Sequence, residues 1–373
     1  MSVIVDIAKE QIKNAVIQAA ENAMEKGELE KAYLTDFTIE VPANRDHGDY
    51  AVNCAMVWAR AFHKAPRMIA EAIIGNANFD GSYIKSAEIA GPGFINFFLK
   101  EDYYSDIVKD VIEKKGDYGK SDYGRGKRVL VEFVSANPTG PMHIGNARGG
   151  ALGDCLASVL EAAGYYTERE FYINDAGNQI NKFGLSLDLR YLQLYKEGIE
   201  MPEDSYHGED IINHAKAFAD VHGDSFVEKS EEERRKALVE FALPKNIEGL
   251  ERDLGKYRIT YDTWFKESTL HKNGETARII ELLKQSGHTY ETEGALWFKA
   301  TDFGCDKDFV LVRANGVPTY VVPDIAYHYD KLVTRNFDKA INILGADHHG
   351  YVPRLKAALT ALGVDASKLD VIL

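Results

Sequence analysis

Hydrophobic positions along the chain recur first at helical and then at strand spacing. Residues 4–25 space their apolar side chains at helical intervals with Asp6 and Glu10 among them, which predicts an amphipathic helix. A strand is expected near 34–41, helices near 52–75 and strands near 83–99, so residues 1–118 read as a small α+β domain. Within it the turn Gly91-Pro92-Gly93 leads into Phe94-Ile95-Asn96-Phe97-Phe98, which reads as an edge strand.

A polar, glycine-rich stretch at 116–127 has the composition of a linker. Beyond it, Val129-Leu130-Val131 with Phe133-Val134 is short and β-branched, and Asn137, Pro138, Gly140 and Pro141 close it sharply. This predicts a central strand of parallel type. Glu132 lies inside that strand, where an unpaired carboxylate costs several kcal/mol to bury, so a cation must meet it; a cationic ligand would serve. Next, Leu152, Cys155, Leu156, Val159, Leu160 and Ala163 recur at three and four residues and Gly164 supplies a stop, giving a helix from about His143. Gly145, Gly149, Gly150 and Gly153 thin its first turns. Such residues let phosphate or adenine approach free N–H groups at the positive end of a helix, and they equally let a helix pack closely on its neighbour. Residues 187–294 turn charged and helical, with the run E-K-S-E-E-E-R-R-K at 228–236 reading as a solvated face. Strands return at 296–299, 309–313 and 341–344, and the last residues, Val371-Ile372-Leu373, are apolar and strand-like.

Composition narrows the classes. A length of 373 residues suits two or three domains, and 45% hydrophobic content supports folded cores. The three cysteines, Cys54, Cys155 and Cys305, are widely spaced without a C-x-x-C pair, which suggests neither a disulfide framework nor a zinc site and fits a reducing cytoplasm. The N-terminal helix lacks the continuous apolar run of a signal peptide, and no stretch is apolar enough to span a membrane. A net charge of −14 argues against a broad basic field for nucleic acid, while leaving room for a local Lys/Arg face on a folded RNA.

Four blocks stand in order along the chain: V-L-V-E-F-V-S-A-N-P-T-G-P-M-H-I-G-N at 129–146, Y-I-N-D-A-G-N-Q-I at 172–180, T-Y-V-V-P-D-I-A-Y-H at 319–328 and G-A-D-H-H-G-Y-V-P-R at 345–354. Together they resemble the class I aminoacyl-tRNA synthetases and, within them, the bacterial arginyl-tRNA synthetases, with His143-Ile144-Gly145-Asn146 standing where the class carries H-I-G-H. The resemblance covers essentially the whole chain. It implies an α/β fold: a Rossmann-like parallel sheet split by a connective insertion and preceded by the small α+β domain. On that reading 119–186 and 295–373 are the two halves of the catalytic domain and 187–294 is the insertion.

The resemblance also implies the chemistry. Arginine carboxylate attacks the α-phosphorus of ATP, which arrives with Mg2+, and the arginyl group then passes to the terminal ribose of tRNA(Arg). No protein nucleophile, resident metal or tightly bound cofactor is needed, and a monomer is expected. Donors and cations that stabilise charge on five-coordinate phosphorus matter most. His143 and Asn146 take that catalytic role, with Gly140, Gly145, Gly345 and Asp347 also near ATP. Asn146 departs from the usual second histidine, since an amide donates a hydrogen bond but cannot become cationic. A guanidinium offers five donors in a flat fork. Glu132, Tyr320 and Asp324 match the positions that hold it, and Asn137 and His348 match those near the substrate's amino and carboxylate ends.

Phe94 and Asn96 match positions approaching a base of the tRNA D-loop, although a core phenylalanine and a turn asparagine would look the same. His143 also fits a solvent-facing helix start, and Asp324, after Pro323, fits a helix N-cap. Asp347-His348-His349 has the residue types of a metal cluster, but the further aspartate blocks such sites need are absent. The family carries a K-M-S-K-S-like loop and an anticodon-binding domain after this point, so a truncated chain that charges tRNA weakly is expected. Two other classes stay in view: an RNA-independent nucleotidyltransferase-like ligase that adenylates another acid, and a non-catalytic synthetase-like binding module. The trio Glu132, Tyr320 and Asp324 speaks against the second, because a retired site has no reason to keep two costly carboxylates.

Overall fold

The computed structural model describes residues 3–345 and 350–373, and the chain divides into two compact units, 1–121 and 122–373. In the first, helix α1 (Val3–Glu25) buries Ala8, Ile12, Val16, Ala19, Ala20 and Ala23, a mostly small-residue stripe along which helix α3 packs closely. Strands β1 (Ile39–Glu40) and β2 (Tyr50–Val52) precede short helices α2 (Cys54–Trp58) and α3 (Pro66–Asn76). Strands β3 (Ile84–Ala90) and β4 (Phe94–Leu99) and helix α4 (Glu101–Lys114) complete it.

Three expectations change here. The strand foreseen at 34–41 shrinks to two residues because side chains take its backbone groups: Trp58 Nε1 donates to Thr35 O at 2.8 Å, and Thr38 N donates to Asn53 Oδ1 at 2.9 Å. The helices foreseen near 52–75 are α2 and α3, but the first begins only at Cys54 because Val52 still belongs to β2, and Pro66 opens the second. The strand after Gly93 is internal, since the antiparallel order is β1-β2-β4-β3. Phe94 is accordingly half-buried and Asn96 is buried within a strand, not in a turn.

The second unit is built on a parallel sheet of order β12-β11-β5-β6-β7. In chain order its elements are β5 (Arg128–Glu132), α5 (Ile144–Ala162), β6 (Tyr166–Ile173), α6 (Asn178–Leu192), α7 (Glu209–His222), α8 (Glu231–Lys256) and β7 (Thr263–Lys266). Then come α9 (Glu267–Lys272), α10 (Glu275–Gln285), β8 (Thr289–Thr292), β9 (Ala295–Phe298), β10 (Phe309–Val312), α11 (Val321–Tyr329), β11 (Lys339–Ile343), α12 (Val352–Ala361) and β12 (Leu369–Ile372). The chain runs outward from β5 through β6 to β7 and returns on the other side as β11, so the order in which strands are added reverses between β5 and β11 while all stay parallel. Ligands of open parallel sheets bind at such a switch, beyond the carboxyl ends of the strands.

Alternation along the strands sends side chains to two faces. Val129, Val131, Phe133, Phe171, Ile173, Ile341 and Ile343 pack with Ala157 of α5 and Leu250 and Leu254 of α8. Ala340 and Leu369 pack on the other face among residues of α10, α11 and α12. The strands expected at 296–299 and 309–313 do not join the parallel sheet: β8, β9 and β10 form their own antiparallel sheet, of order β10-β9-β8. Conversely β7, inside the stretch 187–294, pairs with β6 as an edge of the parallel sheet. α6, which begins before that stretch, shares a separate core with α7 and α8 around Phe183, Leu187, Tyr191 and Phe218.

Two local readings also change. The charged run at 228–236 is not all solvated: Ser230 caps α8, and Arg234 is buried against Asp188, with Nε–Oδ1 at 2.6 Å. The glycine-rich segment is packed at its far end, where Gly124 N donates to Ala163 O and a β-carbon on Gly124 would meet Tyr165 at 2.6 Å.

Candidate active site

Three adjacent parallel strands place a polar row near their carboxyl ends: Asn342 of β11 is in register with Glu132 of β5, which is in register with Glu170 of β6. All three are buried. Their even numbering puts them on the face opposite Val131 and Phe133, under α11 and the five-residue π-helical turn Asp330–Thr334 that continues it. π-helical turns inside helices are frequent at functional sites.

That turn supplies the cation Glu132 requires. Lys331, with a fully buried side chain, donates from Nζ to Glu132 Oε2 at 2.5 Å and to Asn342 Oδ1 at 3.2 Å, and lies 3.9 Å from the centre of the Tyr327 ring. The cation is therefore one of the chain's own, which corrects the expectation of a ligand in that role. Glu132 also accepts from Ser135 Oγ at 3.0 Å. Glu170 has separate partners: Arg335 Nη1 at 2.5 Å and the Tyr327 hydroxyl at 2.6 Å. Burial pushes the Glu170 carboxyl up against the opposing pull of Lys331 and Arg335.

From Asn342 the network runs on to Asp324. Asn342 Nδ2 stands 2.7 Å from His328 Nε2, and His328 Nδ1 stands 2.8 Å from Asp324 O and 3.2 Å from Asp324 Oδ1. Because Lys331 fixes the amide oxygen, Asn342 offers N–H to His328, whose Nε2 must accept while Nδ1–H donates. Asp324 is not the helix cap that its place after Pro323 suggested: α11 begins at Val321, Tyr320 is the cap residue, and Asp324 sits inside the first turn. Burial alone would raise its carboxyl, but His328, helped by Tyr351 and Lys331, brings it below its usual value. Tyr320 is 70% exposed, with its ring 5.8 Å from that of Tyr351. Burial and then the Asp324 charge push the Tyr351 phenol well up. Tyr172, its ring tilted 4.5 Å from that of Tyr327, is likewise raised by burial and by Glu267, to which its hydroxyl donates, with Asp324 and Glu132 contributing further.

The residues after Glu132 form the other side of the site. Val134 and Ser135 both take positive φ, 68° and 41°, a conformation a β-branched residue adopts only under constraint, at a cost of about 1–3 kcal/mol. Tyr261 holds Phe133 O at 3.0 Å, while Ser135 Oγ bonds Glu132 and accepts from Tyr172 N at 3.1 Å. The turn then opens into a cleft of ≈ 500 Å³ lined by Asn137, Thr139, Gly140, His143 and Asn146 together with Tyr206, His207 and Asp210. Ser135 lines this cleft too, so the cleft and the buried network share a residue. Asn246 of α8 holds the turn by donating to Pro138 O at 2.9 Å.

His143 is the N-cap of α5: its Nδ1 accepts from Gly145 N at 3.1 Å, and Asn146 Oδ1 accepts from His143 N at 3.1 Å. The pair is thus a reciprocal capping box at the positive end of a helix, with the imidazole proton left on Nε2. Gly145 is exposed and does not line the cleft. Gly150 and Gly153 are buried and serve packing, whereas a β-carbon on Gly149 would meet nothing within 4 Å. The apolar stripe of α5 read from spacing is in good part exposed, Leu152 at 46% and Val159 at 65%. Gly345 is exposed just beyond β11, and Asp347 and His348 lie outside the described residues. Among the described residues, no group of three or more His, Cys, Asp or Glu side chains is arranged to hold a metal ion, and no helix is long and apolar enough to cross a membrane.

Sequence reasoning gave no role to Lys331, His328 or Asn342, although His328 closes the block at 319–328 and the other two stand just outside blocks it singled out. The strand alternation of 339–343 carries the one usable signal: Asn342 interrupts an apolar run. Nothing in the sequence placed Tyr206, His207 or Asp210 at the cleft.

A parallel sheet with a switch beside its first strand, and a small-residue helix starting H-I-G-N over the cleft, defines the catalytic domain of a class I tRNA synthetase. The family described as "tRNA synthetases class I (R), catalytic domain" matches residues 107–372, and "Arginyl tRNA synthetase N terminal domain" matches 7–99. The chain belongs to the arginyl-tRNA synthetase family. It is 55% identical over 373 residues to an arginine–tRNA ligase of Caldanaerobacter subterraneus, covering 100% of this chain and 66% of that protein. It is 47% identical over 366 residues to the Bacillus subtilis arginine–tRNA ligase, covering 98% and 64%. A solved Thermus thermophilus arginyl-tRNA synthetase shares the fold, with a TM-score of 0.65 at 22% identity over 96% of this chain and 65% of that one. The chain thus spans about two thirds of the length of the relatives it matches.

Proposed function

We propose that this chain activates L-arginine with ATP and serves the charging of tRNA(Arg). The observation that carries the reading is the bonded chain Glu132–Lys331–Asn342–His328–Asp324, which ties two carboxylates from distant parts of the sequence together beside the H-I-G-N cleft. Asp324 and the unused lone pairs of Glu132 would meet the guanidinium, with the Tyr320 ring available to its plane. Asn137 would lie by the amino and carboxylate ends. ATP, carrying Mg2+, would set its phosphates at the α5 N-terminus, where His143 Nε2–H and the Asn146 amide supply donors and the helix end supplies positive potential.

The arginine carboxylate oxygen would attack the α-phosphorus, forming the arginyl-adenylate as pyrophosphate leaves. A ribose hydroxyl of the tRNA end would then attack the carbonyl carbon and AMP would depart. These residues position and stabilise; none forms a covalent bond to substrate. We read half-buried Phe94 as a contact for an unpaired tRNA base, with Asn96, buried beside it in β4, reaching that base only if the strand's surroundings shift, and Asp347 and His348 as further ligands of the arginine and ATP site. We read the protein as a monomer acting in the cytoplasm, where tRNA is charged.

The test is calorimetric titration with L-arginine, L-citrulline and L-lysine, with and without an unreactive ATP analogue. Citrulline keeps the shape without the charge, so the site should reject it by about 100-fold or more. Arginine binding with citrulline and lysine excluded supports the reading. Tight binding of a different acid, unaffected by tRNA, would favour an RNA-independent ligase, and no binding of any amino acid or nucleotide would favour a non-catalytic module.

A further inference from the structure

The two carboxylates of the pocket carry two negative charges, and a guanidinium brings one positive charge. Lys331 resolves the mismatch from within. Its ammonium has three N–H donors, and all are used: one toward Glu132, one toward Asn342 and one toward the face of Tyr327. Nothing on it is left for a ligand, and its side chain is fully buried. Glu170 feels the Lys331 charge but takes its direct bonds from Arg335 and the Tyr327 hydroxyl, so it occupies none of the Lys331 donors.

The remaining charge count follows from hydrogen-bond direction. With Asn342 Oδ1 held by the ammonium, Nδ2 must face His328, so His328 Nε2 accepts and the imidazole is neutral. A protonated His328 would set N–H against N–H, and flipping the amide would set its NH2 against the ammonium. Glu132 at −1, Lys331 at +1, His328 at zero and Asp324 at −1 leave one negative unit.

Resting on the arginine reading above, we propose that Lys331 is a positioning residue that sets the pocket's net charge to −1 and thereby its preference for a single cation of planar fork shape. Glu132 is pinned on Oε2 by Lys331 and on Oε1 by Ser135, so only its remaining in-plane lone pairs are available, which suits a flat fork. A substrate ammonium seeking a point contact with Glu132 would meet another ammonium already there.

The test compares four proteins at pH 8: wild type, Glu132→Gln, Lys331→Met and the double variant, each titrated with L-arginine and L-lysine. Counted as above, the single variants leave nominal charges of 0 and −2 and the double variant returns to −1. Glu132→Gln should lose arginine affinity about 100-fold, and the double variant, despite losing a second polar group, should regain about tenfold of it. Lys331→Met should bind arginine with proton release, because Glu132 without its cation takes up a proton that the guanidinium expels; the binding heat will then vary with buffer ionisation enthalpy, unlike that of the wild type. It should also admit lysine. Where Lys331→Met folds poorly, the double variant removes both buried charges together and keeps the comparison readable. A double variant no better than Glu132→Gln, or a folded Lys331→Met with wild-type selectivity and buffer-independent heats, would overturn the proposal. A wild type that binds no arginine would overturn the substrate reading itself, while thermal melting of the four proteins would still report the Glu132–Lys331 coupling.

Discussion

Gly153 of α5 lies so close to the Phe133 ring that a β-carbon on it would stand 2.1 Å from Phe133 Cγ. The glycines of this helix therefore divide by position. Gly153→Ala must push apart a buried helix–strand contact and should destabilise by about 1–3 kcal/mol. Gly149, with open space around its missing β-carbon, should as alanine be neutral or more stable by up to about 1 kcal/mol. Urea denaturation of both variants reads the contrast, and equal stabilities would refute the packing account. Nucleotide binding adds a second reading: a folded Gly149→Ala protein that loses the ATP analogue would assign that glycine to ligand approach.

Asn146 separates helix capping from anion binding. Its Oδ1 accepts from His143 N, and an aspartate would accept equally well while adding negative charge to the first turn, which favours the helix by about 0.3–1 kcal/mol. The same charge would face the phosphates of ATP. Asn146→Asp should thus melt no lower than wild type yet bind an ATP analogue at least about tenfold more weakly, as thermal melting and calorimetry would show. Unchanged nucleotide affinity would remove Asn146 from the phosphate site.

The central strand and the helix start at His143 were legible because each leaves a local mark, β-branching and sharp turn residues, and Glu132 stood out as a carboxylate where only apolar residues belong, whereas Tyr320 and Asp324 were singled out only through the family resemblance. The face of α5 was not, because glycines mark its buried side and spacing arguments count only apolar residues. Strands 295–298 and 309–312 were legible as strands but not as members of a separate antiparallel sheet, since pairing is fixed by tertiary contacts. Lys331 was hidden for a related reason. A lysine in a charged, helical stretch looks solvated, and only the register of Glu132 with Asn342 and the π-helical turn above them make it buried.

Arg335 is the counterpart of Lys331 for the second buried carboxylate. It bonds Glu170 through Nη1 at 2.5 Å and Glu168 through Nη2 at 2.6 Å, and the Glu170 side chain is fully buried. Arg335→Ala strands that charge and should cost about 3–5 kcal/mol, whereas Arg335→Ala combined with Glu170→Gln should recover a large part of the loss. Denaturant unfolding of the three proteins checks this; an additive double variant would mean the pair is not coupled.

Asp324 gives the site an acid-side limit. Its carboxyl sits below the usual aspartate value because His328, aided by Tyr351 and Lys331, outweighs the opposing effect of burial. The folded protein then holds that proton more weakly than the unfolded chain, so the stability Asp324 contributes is present above about pH 4 and drains away as pH falls through its lowered value. Asp324→Asn cannot titrate and should show none of this dependence. Measured by urea unfolding, the stability gap between wild type and Asp324→Asn should be fully open at neutral pH and should close as the pH approaches 3. A gap that stays constant across that range would mean that Asp324 is no better paired in the folded protein than in the unfolded chain, and would remove it as the carboxylate held ready for a cation.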